Sequence, residues 1–160
     1  MAKPTTYATP ICLVLTVLVI VGILLGFRGH SALIITVFLL PAVAYEAYRT
    51  EGDSTRWASW GLLLLIIAEI IFIVFKINID LASYFNQSTA YVGGYSIPLG
   101  DLRIIAPGLI AVLSLILFFR TNGKYTKWLA VLIFVSALSI VYLLDPNIFK
   151  SLLGSAFYMF

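Results

Sequence analysis

The chain has 160 residues, of which 62% are hydrophobic and 11% charged, with ten Lys and Arg, seven Asp and Glu and a formal net charge of +3. A soluble domain carries about 25% charged residues, so a water-soluble globule is excluded. The single cysteine excludes a disulfide scaffold, and the wealth of Leu, Ile, Val and Phe excludes a disordered chain.

A mean hydropathy of +1.07 spreads the apolar excess along the whole chain. The composition points to an all-α integral membrane protein, one multispan domain over residues 1–160 built as a bundle of about five transmembrane helices. The basic residues punctuate apolar stretches and never form a run interleaved with aromatics, so no nucleic-acid partner is expected.

A hydrocarbon core about 30 Å thick needs about 20 apolar helical residues, fewer where flanking side chains snorkel. The first predicted span covers 7–27; its apolar run is too long for a signal-peptide core, and only Lys3 precedes it. The second covers 32–48 and contains Pro41, whose freed carbonyl neighbouring helices can satisfy. The third covers 57–75. The fourth, 102–119, holds Pro107 six residues after the candidate N-cap Asp101, which predicts a kinked or partly re-entrant helix. The fifth covers 128–144 and follows the turn residues Thr121, Asn122 and Gly123.

Lys3, Arg49, Arg56, Arg120, Lys124 and Lys127 fall on the N-terminal side, against Arg28, Lys76, Arg103 and Lys150 on the other. Positive-inside topology therefore places the N-terminus in the cytoplasm and the C-terminus outside, with a plasma (inner) membrane as the expected location. The 24-residue external connection, 77–100, has a first part that can extend the third helix through Phe85. Its second part places a Gly93-Gly94 pair at the centre of a predicted hairpin. Asn86-Gln87-Ser88 within it is a glycosylation sequon in form, relevant only to a eukaryotic source. Pro146 stops the fifth helix, and 147–160 reads as an interfacial segment or partner-binding tail. No internal repeat is evident, and five spans do not divide into two inverted halves.

Glu69 is the outstanding polar position. It lies within Leu62–Phe72, roughly 10 Å below the external boundary by helical rise. Facing lipid when ionised would cost about 2.5–3.5 kcal/mol, so Glu69 must face protein or water, or carry a proton. Lys76, seven residues on, returns to the same helical face and with Arg103 could line an outward-opening polar mouth. Glu46 is three residues from Arg49 and beside Tyr45 and Tyr48, which predicts that it reaches the headgroups. The two glutamates then lie about 15 Å apart along the membrane normal, too far for a shared-proton dyad.

Catalytic constellations are not assembled. His30 is the only histidine and Cys12 the only cysteine, so no haem, copper or zinc site is expected from this chain alone. Ser114, Ser136 and Ser139 read as hydroxyls bonded back to their own helices. Gly22 and Gly26 form a small-xxx-small pattern that permits close helix contact. Aromatic and aliphatic walls would accept lipid, quinone or pigment alike, so the cofactor question stays open. The sparse polar inventory favours a non-catalytic accessory subunit of a larger, energy-converting membrane complex, with the bilayer and other membrane subunits as partners. The alternatives are a proton, ion or small-solute pathway through Glu69 and, less favoured, an enzyme acting on lipid or isoprenoid.

Overall fold

The computed structural model describes residues 7–50, 53–77, 89–92, 95–98 and 102–146, and for 53–54, 89–92, 95–98 and 102–104 the backbone alone. Among the described residues five helices form: α1 (Ala8–Gly29), α2 (Ala32–Arg49), α3 (Asp53–Val74), α4 (Leu102–Arg120) and α5 (Lys124–Leu144). Between α3 and α4 lie two short strands, β1 (Thr89–Val92) and β2 (Tyr95–Pro98), paired antiparallel with Val92 opposite Tyr95. That register leaves two residues between the strands, as expected around the Gly pair. The predicted C-terminal interfacial segment lies outside the described residues.

Among the described residues four helices are long and apolar enough to cross a membrane: Ala8–Gly29, Ala32–Arg49, Thr55–Val74 and Lys124–Leu144. The apolar stretch of α4 is shorter, Ile105–Arg120. α4 runs as one helix through Pro107. A proline at that point removes only the bond to the Arg103 carbonyl, near the helix start, and the remaining ladder is intact. α2 likewise continues through Pro41.

Chain neighbours pack on one another from α1 to α5, the ring closes through α5 against α1, and α2 also meets α5. Leu15 and Val19 of α1, Leu39 and Val43 of α2, Leu62 and Ile66 of α3, Ile110 of α4 and Leu129 and Ile133 of α5 fill the centre. The opposite faces stay apolar and exposed, for example Val14, Val17 and Leu24 on α1. An apolar outer face on a protein with a packed apolar core is what a lipid solvent selects.

The glycine pattern is used within the chain, between α1 and α2. A Cβ on Gly22 would overlap Phe38 of α2, with the ring's Cγ at 2.8 Å, and one on Gly26 would overlap Ile35, with Cδ1 at 2.9 Å. The α1–α2 turn is closed by His30 in the left-handed region (φ 48, ψ 39), where Ser31 N–H donates to Gly26 O at 3.0 Å. With His30 N–H reaching Phe27 O, this is the bond pair of a Schellman cap, made without glycine.

Candidate functional site

α2 ends and α3 begins at the same end of the bundle as the start of α1 and α5. The apolar core gives way there to a buried polar cluster. Glu46 is fully buried, and its Oε1 accepts hydrogen bonds from the hydroxyl of Thr50 and, at 3.0 Å, from that of Ser59 on α3. The Ser59 hydroxyl also lies 3.1 Å from the Thr55 carbonyl, so its single proton has two acceptors in reach. Glu46 Oε2 is buried with no hydrogen-bond partner among the described residues.

This corrects the expectation that Glu46 reaches the headgroups. Arg49 does not draw it outward, because the guanidinium is engaged elsewhere: Nη1 donates to Tyr45 OH at 3.4 Å and Cζ sits 4.7 Å over the Tyr125 ring. Tyr125 OH shares a 2.8 Å hydrogen bond with Thr9 of α1. Trp128 Nε1–H donates to Thr16 Oγ1 at 3.0 Å, and Thr16 donates in turn to Cys12 O at 2.7 Å. These contacts tie α1, α2 and α5 together at one end of the bundle, while the Glu46–Ser59 bond ties α2 to α3.

Glu69 is also fully buried, so the inward placement demanded by its chemistry is met. Thr55, Ser59, Leu62, Ile66 and Glu69 are all buried and recur at alternating steps of four and three, one stripe along α3. Ten residues separate Ser59 from Glu69, about 15 Å of rise, so the carboxyls occupy opposite ends with Leu62 and Ile66, both 0% exposed, between them.

The helical period that would carry Lys76 back to the Glu69 face is not maintained. α3 stops at Val74, Lys76 is exposed with φ 51, and Ile77 N–H returns to Phe72 O at 3.0 Å in a second Schellman-type cap. A left-handed residue ends the helical period, so the seven-residue spacing no longer fixes direction; the predicted extension through Phe85 lies, from residue 78 on, outside the described residues. Arg103 lies in α4, but its side chain is outside the described residues, as is Asp101.

The span serines behave as expected. Ser114, Ser136 and Ser139 bond back to the carbonyls of Ala111, Leu132 and Val135. Thr50 and Ser59 were not apparent from the sequence. The Glu46-xxx-Thr50 spacing and the heptad-like return of Thr55, Ser59 and Glu69 were the available signals. Among the described residues no group of three His, Cys, Asp or Glu is placed to hold a metal ion. No protein-family model, curated protein or solved structure matches the chain.

Proposed function

We propose that the protein is a non-catalytic multispan subunit that packs within a larger, energy-converting membrane assembly, with its N-terminus in the cytoplasm. The observation that carries this reading is the closed middle of the bundle. Leu39, Val43, Leu62, Ile66, Ile110 and Ile133 are each 0% exposed at mid-helix. Among the described residues a layer so packed offers no polar route, and its neighbouring hydroxyls are spent on bonds within and between helices. Purification in several mild detergents followed by mass spectrometry tests it: stoichiometric membrane partners are expected, and a chain that remains alone and monodisperse in all of them refutes the proposal.

A second reading, a proton or ion pathway, is supported by two carboxyl side chains buried completely in an apolar bundle. It requires the Leu62–Ile66 layer to open. Reconstituted into proteoliposomes, the wild type should then pass a cation flux that Glu69→Gln abolishes; equal flux in wild type, Glu69→Gln and protein-free vesicles removes this reading.

A further inference from the structure

The face between α4 and α5, at the end where α5 begins, carries a groove of about 380 Å³ lined by Phe118, Lys124, Lys127, Trp128, Val131 and Leu132. Its chemistry is divided along its length. Val131, Leu132 and the Phe118 ring make an apolar floor and wall, and two ammonium groups stand at one end. Lys127 Nζ lies 5.6 Å over the Phe118 ring, a cation–π contact that holds the charge above the aromatic wall. Trp128 is 45% exposed, yet its indole N–H is fastened to Thr16 of α1, so this wall is positioned before any ligand arrives.

Charge decides the occupant. From Leu102 to Leu144, the whole of α4 and α5, the chain contains no Asp or Glu, while Arg120, Lys124 and Lys127 cluster within eight residues at this end. The groove's two helices therefore offer the lysines no carboxylate. A ligand that complements them needs an anionic group at the membrane boundary and an aliphatic chain running inward along Val131 and Leu132. We infer that the α4–α5 groove is a binding site for an anionic phospholipid, its phosphate between Lys124 and Lys127 and one acyl chain against Phe118, Val131 and Leu132. A zwitterionic phospholipid matches the apolar part equally, but its quaternary ammonium brings a like charge toward the two lysines.

The site stands independently of whether the protein is a subunit or a pathway. Its test uses the full chain in mild detergent, with phosphatidylglycerol and phosphatidylcholine of identical acyl chains, read by native mass spectrometry. Two headgroup-facing lysines should give wild type about a thirtyfold preference for phosphatidylglycerol. Lys124→Gln with Lys127→Gln should bring the two lipids to near equality, with thermal unfolding confirming that the double variant is folded. Val131→Trp, which fills the groove and keeps both charges, should lose both lipids. Equal retention of the two lipids by wild type, or a preference undiminished in the double glutamine variant, overturns the inference. So does displacement of phosphatidylglycerol by equimolar glycerol phosphate, which would leave the apolar half of the groove without a role.

Discussion

Replacing Gly22 with alanine and doing the same at Gly61 are one chemical change with opposite expected outcomes. In a helix interior Gly→Ala gains roughly 0.5–1 kcal/mol from backbone conformational entropy. At Gly61 and Gly108 a new Cβ meets nothing within 4 Å, so that gain should appear in full. At Gly22 the new methyl overlaps Cβ of Phe38 and comes to 2.8 Å from its Cγ. Cβ is bonded directly to the α2 backbone, so no rotamer change moves it aside, and the helices themselves must separate. The short turn at His30 and Ser31, with its two closing hydrogen bonds, resists that separation. Overpacking of this kind costs about 1–3 kcal/mol, and an immovable contact belongs at the upper end, leaving a net loss of about 1–2 kcal/mol after the propensity gain. Thermal unfolding in one detergent should therefore place Gly22→Ala below wild type and Gly61→Ala above it. The separation should be several degrees for a chain of this size, at about 2–4 °C per kcal/mol. If Gly22→Ala were as stable as Gly61→Ala, the close α1–α2 approach would be refuted.

Three further outcomes follow from the same contacts. Ser59→Ala should destabilise by about 0.5–1.5 kcal/mol, because interhelical hydrogen bonds in membranes average about 0.6 kcal/mol and a buried carboxyl would lose one of its donors; a double-mutant cycle with Glu46→Leu, which removes the acceptor, showing no coupling would exclude the bond. Ile133→Ala should cost about 2–5 kcal/mol as a fully buried side chain leaves a cavity, measured by the same unfolding assay; a loss under about 0.5 kcal/mol would mean the centre is not packed. His30→Gly should stabilise by about 0.5–1 kcal/mol, since relief of a left-handed non-glycine residue outweighs the added freedom of the unfolded chain; a lowered unfolding temperature would contradict the αL cap.

The apolar helices were legible because hydropathy is additive along the chain. α1, α2 and α4 begin and end within two residues of the expected bounds, whereas α3 and α5 each begin four residues earlier. The extra turns, Asp53–Arg56 and Lys124–Lys127, are polar and helical at once, and a hydropathy count detects only the apolar part. Glu46 was misplaced for a different reason. Its sequence neighbours Tyr45, Tyr48 and Arg49 describe a headgroup environment, while the partner that turns it inward, Ser59, belongs to the next helix. The break at Lys76 was not legible because nothing in Phe75-Lys76-Ile77 signals a left-handed residue, which is ordinarily the province of glycine or asparagine.

Composition and pattern alone pointed to a lipid solvent, to the rough bounds of the apolar helices and to the requirement that Glu69 be sheltered, since each follows from transfer free energies that depend on residue type and local position. Which glycines touch a neighbouring helix, which hydroxyl meets Glu46, and that the two lysines flank an apolar groove were decided only when five helices closed on one another. Helical period fixes which residues share a face, but the partner of that face is set by rotation and depth of packing between segments distant in the chain.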